Sequence, residues 1–396
     1  MTGVPVEFTY TGAVAPKNAG GWRLVTHAGV DPSVTEIRDC AFENCYKLVE
    51  VDLPEGLKII KPSAFKSCIS LECLTIPCTL TDVGARSFYG CCNLREVELP
   101  EGLRTIGNQA FCGCESLERI RIPSSVTSIG DGAFCNCKNL MLVELPTGLQ
   151  IKTIGKRAFS GCALWKTIRI PSSVTSIGAH AFFNCKDLKS VELPVGLQTI
   201  GRGAFSGCDS LERINIPSSV TLIGARTFYC CTKLTSVKLP EGLQAIEDHA
   251  FFGCDSLKRI SMPCNLTDIG ARAFCGCTSL MSIDPVGLQA IGKRAFSGCI
   301  YPIPNLAVVW ERILDDLVRS KRPGEKLLLA KVRMSNRLSL DCWAEIENKV
   351  NQISDQTEKL ERIRGLITYH ELNEARTIFE LALWKAKIEE ENSKGS

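Results

Sequence analysis

Apolar residues recur along residues 25–300 with a single cadence. Two alternating apolar positions are followed by a proline, a leucine or valine, an isoleucine, an Ala-Phe pair and a cysteine. The segment from Leu94 to Pro100 shows the logic. Val97 and Leu99 alternate with Glu96 and Glu98, the period-2 signature of a strand with one buried face. Pro100 has no N–H to give to a ladder and ends the strand. Leu103 and Ile106 then turn inward again, Gly107 is expected to allow a sharp corner, and Ala110, Phe111 and Cys114 fill the next layer.

The phenylalanines of this unit are Phe42, Phe65, Phe88, Phe111, Phe134, Phe159, Phe182, Phe205, Phe228, Phe251, Phe274 and Phe296. Successive steps are 23 residues nine times, with one step of 25 and one of 22. One coil of this length cannot bury its own apolar side. Stacked coils bury each other's, so the pattern predicts a quasi-one-dimensional array with a continuous core.

These units read I-P-x-x-V-x-x-I-G-x-x-A-F-x-x-C, and on those residues the chain resembles the BspA-like branch of the leucine-rich repeat family. The resemblance covers roughly residues 25–300. It implies a repeat solenoid, mostly β and irregular, with a parallel sheet on the concave face and short strands or 3₁₀ turns on the other side. It also implies protein recognition or adhesion, and no reaction.

A second period overlies the first. Units with L-P-x-G-L (Gly56, Gly102, Gly148, Gly196, Gly242, Gly287) alternate with units reading I-P-S-S-V or I-P-C-x-L (Pro77, Pro123, Pro171, Pro217, Pro263). A 46-residue pair is therefore the expected unit of duplication. The central outward strand position alternates with it, giving a charged ladder Glu98–Arg121–Glu144–Arg169–Glu192. The neighbouring outward column adds Glu96, Arg119 and Arg213. These eight residues are the candidate ligand-binding set. Two readings stay open: opposite charges on adjacent strands pair with one another, worth ~0.2–1 kcal/mol each, or they form a recognition surface. The 25-residue step carries an extra Ile151-Lys152 with Trp165 in a leucine slot. It reads as a surface bulge with Trp165 filling extra core volume, or as a functional loop.

Charge and composition change little in this picture. The net charge of +3, from 46 Lys and Arg against 43 Asp and Glu, gives no reason to expect nucleic acid or a membrane as partner. No signal peptide or apolar span is apparent, so a cytoplasmic location is expected, with the nucleus open. In such a compartment the 22 cysteines are expected to be reduced and metal-free. Twelve of them repeat at one inward slot, as small hydrophobes do, while Cys73, Cys78, Cys92 and Cys230 are expected to be more exposed. Pairs such as Cys112/Cys114 lack zinc-ligand spacing. His180 and His249 sit at variable repeat positions, and no catalytic or cofactor motif is found. The expectation is no catalytic residue, no metal and no cofactor.

Composition shifts after Cys299. Leu306, Val309, Trp310, Ile313, Leu314 and Leu317 fall on one helical face, followed by further helical patterning to the end of the chain. The organisation read from sequence is an N-terminal cap (1–24), the twelve-unit solenoid (25–300), a capping helix region (301–338) and a helical hairpin or short coiled coil (339–396). A non-enzymatic scaffold holding a protein partner on the solenoid is the leading functional reading. Two others stay open: an adhesin exported by an unrecognised route, and a structural module acting, or weakly homodimerising, through the C-terminal helices.

Overall fold

The computed structural model describes residues 6–12, 22–146, 148–283 and 290–299. The C-terminal helical expectations, and the outer part of the N-terminal cap, lie outside the described residues. Numbering the coils from coil 1 (Phe42) to coil 12 (Phe296), each contributes two very short strands, and every strand pair is parallel. The first strand carries the I/V-x-I/L positions, as in Arg119–Arg121 and Leu142–Glu144. The second carries the isoleucine before the glycine, as in Thr105–Ile106 and Ser128–Ile129. In-register pairing stacks like positions on like, for instance Ile120 on Val97 and Val143, and Ile129 on Ile106. At the N-terminal end, Glu7–Tyr10 and His27–Val30 extend the first sheet onto Glu50–Asp52. The buried Tyr10 ring covers the end of the core at 5.3 Å from Phe42.

The core is a single column of apolar layers. Val97, Leu103, Ile106, Phe111 and Cys114 are all buried, as the alternation predicts. The twelve phenylalanines form one stack from Phe42 to Phe296, near-parallel and 4.9–5.8 Å apart between ring centroids. Beside it runs a thiol ladder. From Cys68 to Cys299, each Sγ of the slot donates to the phenylalanine carbonyl of the preceding coil, for example Cys185 to Phe159 at 3.2 Å. Cysteine thus fills a small apolar slot and also gives a second donor to a buried carbonyl.

The glycine after the isoleucine acts otherwise than expected. Gly107 does not have a positive φ. A Cβ at Gly107 would lie 2.5 Å from the Ala85 nitrogen and 2.6 Å from the Gly84 carbonyl carbon. Close approach of neighbouring coils, not a sharp corner, requires glycine here. The corners are made elsewhere, by left-handed residues at two columns flanking Ala-Phe. One column holds Arg86, Gln109, Arg157, His180, Arg226, His249 and Arg272 (φ 54–58°), and the other holds Asn44, Asn136 and Asn184 (φ 56–65°).

The inserted segment is also not a surface bulge. Ile151 is fully buried. Coils 6 and 7 spread to accommodate it, giving the widest step in the stack, 5.8 Å between Phe159 and Phe182. Trp165 does fill the extra volume, meeting Phe159 edge-on with ring centroids 5.2 Å apart. Its buried Nε1 has no hydrogen-bond partner, a cost of ~1–3 kcal/mol. The second sheet passes through this step, pairing Ile129, Ile154 and Ile177. The first sheet does not: one four-stranded piece ends at Leu142–Glu144 and a six-stranded piece begins at Thr167–Arg169.

Candidate recognition surface

The outward residues of the first sheet are placed by the strand alternation, so every predicted ladder residue is exposed. Glu96, Glu98, Arg119, Arg121, Glu144, Arg169, Glu192 and Arg213 all point away from the core. In register, Arg119 lies beside Glu96, Arg121 beside Glu144, and Arg169 beside Glu192. The ion pairs follow this only in part. Arg169 meets Glu192 at 3.4 Å and Arg119 meets Glu96 at 4.0 Å. Arg121 turns instead to Glu101, at 3.3 Å, a residue just past the strand. Glu144 and Arg169 face each other across the interruption of the sheet. The ladder is therefore partly self-paired, in two halves divided at coils 6 and 7. Such exposed pairs are worth ~0–1 kcal/mol.

At the division the outward columns turn apolar. Met141 is 52% exposed and Leu142 47%. Leu142 occupies the column of Glu96 and Arg119, directly beside Arg119 in register, and Leu164 stands partly exposed on the next coil. Sequence reading missed this spot because its column is mixed, with Cys73, Thr167, Ser190 and Ser236 beside the charged residues, so a lone Leu142 does not stand out. The signal was available in the coincidence of that exception with the 25-residue step.

Reactive chemistry is sparse. Among the described residues no group of three or more His, Cys, Asp or Glu is arranged to hold a metal ion. Burial pushes the Cys185 thiol of the ladder up to about 12, and those of Cys162 and Cys208 up as well. Cys73 and Cys78 are exposed, and Cys92 and Cys230 half-exposed, as predicted; Cys264 joins the exposed set. Cys135 departs in the other direction. A hydrogen bond with Cys112 on the preceding coil, assisted by Ser160 and Arg157, holds its thiol below the usual range. No helix among the described residues is long and apolar enough to cross a membrane.

A model of the BspA type leucine rich repeat region, in six copies, matches residues 24–141 and 152–281, well over half of the chain. The gap between the two matches, residues 142–151, ends within the insertion at Ile151. Among solved structures, a leucine-rich repeat protein from Bacteroides ovatus is 32% identical, over 69% of this chain and 85% of its own, with a TM-score of 0.49. One from Eubacterium ventriosum is 24% identical over 75% of this chain and 89% of its own, with a TM-score of 0.53. A leucine rich cell surface protein from Faecalibacterium prausnitzii is 27% identical over 76% and 86%, with a TM-score of 0.44. A comparison with curated proteins finds no match.

Proposed function

Because the chain belongs to the BspA-type leucine-rich repeat family, whose repeats are non-catalytic binding modules, we propose that it is a scaffold or recognition protein holding a protein partner on the outward face of its first sheet. The observation that carries this reading is the exposed pair Met141 and Leu142, set within a rim formed by Arg119, Arg121, Glu144 and Arg169. Protein interfaces concentrate their energy in a small apolar centre with a polar surround. A rigid coil stack suits that use, because the rim residues are fixed by the core and lose little freedom on binding. Twenty-one free cysteines among the described residues fit a reducing interior, and the proposal places the protein there.

The test is affinity capture from cell extract with full-length protein and two variants as bait. Leu142→Arg removes the apolar centre. The sign-swapped variant carries Glu at 121 and 169 and Arg at 98, 144 and 192, which keeps alternation, so cross-strand pairing changes by only ~1 kcal/mol. Both should fold as wild type and lose the captured partners. Capture of the same partners by both folded variants refutes the assignment of recognition to this face.

A further inference from the structure

A different surface carries a charge pattern that the ladder does not. Three residues separate the second-strand isoleucine from the Ala-Phe step, as at 107–109 between Ile106 and Ala110. Across the twelve coils these three positions hold ten Lys or Arg and only four Asp or Glu, in a chain whose net charge is +3. Three of the four acids are occupied by the fold. Asp131 accepts the Lys156 backbone N–H at 2.7 Å, Glu247 accepts that of Ala225 at 2.8 Å, and Asp248 that of Ala271 at 2.6 Å. The cations are not occupied in this way. Arg86, Lys156, Arg157, Arg202, Arg226 and Arg272 are exposed and, among the described residues, make no ion pair. On the ladder, by contrast, Arg119, Arg121 and Arg169 each have a carboxylate partner.

Two further observations locate the field. Burial and then Arg157, Arg202 and Arg226 push the His180 imidazole below its ordinary range, and burial with Arg226 and Arg272 does the same to His249, against Asp248. A groove of about 740 Å³ runs along this edge from coil 2 to coil 7, lined by Arg86, Lys156, Arg157, His180 and Asp131 among others; Arg202 and Arg226 continue the same edge on coils 8 and 9. With coils ~4.8 Å apart, the six steps from coil 3 to coil 9 span ~29 Å, the length of about nine residues of extended chain.

We propose that this edge binds an acidic, extended polypeptide segment lying along the solenoid axis, with its carboxylates against Arg86, Lys156, Arg157, Arg202 and Arg226. Electrostatic complementarity to exposed cations without ion pairs is the basis of recognition; Arg86 is held along the edge by its Nε–H, which donates to Gln109 Oε1 at 2.7 Å. A single-stranded nucleic acid suits the edge less well, because it needs free aromatic faces for base stacking. The aromatics alongside are already engaged: Tyr229 stacks on Phe252 at 5.0 Å and 6°, and Phe183 meets His180 at 5.6 Å. The site is independent of the first-sheet face.

The experiment uses full-length protein and fluorescence anisotropy at low salt. The probes are a labelled twelve-residue peptide alternating Glu and Ser, the same peptide with Gln for Glu, and an oligothymidylate of equal charge. The variant Arg157→Gln/Arg202→Gln/Arg226→Gln removes three cations, and its fold is protected because Gln109 already occupies the left-handed column of Arg157 and Arg226 (φ 56°), while Arg202 is exposed and has no positive φ. The acidic peptide should bind, weaken with added salt, and lose at least tenfold in affinity in the triple variant. The control Arg121→Gln/Arg169→Gln on the other face should bind as wild type. The proposal is overturned if the acidic peptide binds no better than its Gln counterpart, if the triple variant binds as wild type, if the control loses as much, or if the oligonucleotide binds more tightly than the peptide.

Discussion

Substituting one glycine for alanine at two equivalent slots should move stability in opposite directions. At Gly107 the new Cβ would sit 2.5 Å from the Ala85 nitrogen, about 1 Å inside ordinary contact distance (~3.5 Å). The obstructing atoms are backbone, so no side chain can swing away. Relief requires coils 3 and 4 to separate, straining the Gly107 N–H bond to the Val83 carbonyl (2.8 Å) and the Phe88–Phe111 stack (5.1 Å). Overpacking of this kind costs ~1–3 kcal/mol. Alanine also stiffens the unfolded chain, which offsets ~0.4–1 kcal/mol. The net expectation is a loss of ~1–2 kcal/mol.

Gly224 occupies the same slot in coil 9, yet its Cβ would meet nothing closer than the Ile200 oxygen at 3.4 Å. The second sheet is interrupted at this step, between Thr199–Ile200 and Leu222–Ile223, and the coils stand further apart. Without overpacking, only the unfolded-state term remains, and Gly224→Ala should be neutral to ~1 kcal/mol stabilising. Urea denaturation of each variant followed by far-UV circular dichroism reads the difference. Equal shifts for the two, or a Gly107→Ala protein as stable as wild type, would refute close coil approach as the reason for glycine.

Phe182→Ala should cost ~3–5 kcal/mol, because its ring is fully buried between Phe159 and Phe205; hydrogen exchange should show the loss centred on coils 6–8, and uniform loss along the array would count against nearest-neighbour coupling. Iodoacetamide at pH 8 should label Cys135 fastest, then exposed Cys73, Cys78 and Cys264, and leave Cys185 untouched until unfolding; peptide mapping checks the order, and early labelling of Cys185 refutes the ladder's inertness. His180 and His249 have folded pKa values below the unfolded value of ~6.5. Their contribution to stability is full above that value and is lost as pH falls through the folded pKa. His180→Gln/His249→Gln should therefore flatten the fall in Tm between pH 7.5 and 5.5, and an unchanged slope refutes it.

The sequence made the array legible because inward positions obey hard constraints. A phenylalanine at every coil can only stack, and an alternating strand can only bury one face, so the stack from Phe42 to Phe296 was readable, while the burial of Ile151 was not. Other features depend on distances between coils, which a single unit does not encode. The left-handed column carries Arg157, His180 and Arg226 as readily as Gly132, so no glycine signal marks the turn. Gly107 looked like a corner because glycine is the usual sign of one, while its real neighbours are a whole coil away in sequence. The ladder was placed correctly, but Arg121 pairs diagonally with Glu101, a choice made by rotamer reach that strand register does not fix. The basic edge escaped notice because its cations are scattered over three variable positions, and only the fold brings them into line.

The two added residues lie between the strands of coil 6, so Ile154 still faces inward and the second sheet continues from Ile129 to Ile177. Facing is set within each strand and not by the number of residues between strands: the 22-residue step is one residue short, yet Ile291 is buried and pairs with Ile269. Even so, the added Ile151 is buried and needs volume, which only a wider step between coils 6 and 7 supplies. With the second sheet intact on one side, the spreading is taken up on the other, where the first sheet divides and Trp165 fills the gap beneath it. Leu142 stands on the last strand before that division, paired with Arg119 on one side only. One extra isoleucine inside the core thus goes with an apolar spot and two free strand edges outside it, on the face to which the proposed function assigns recognition.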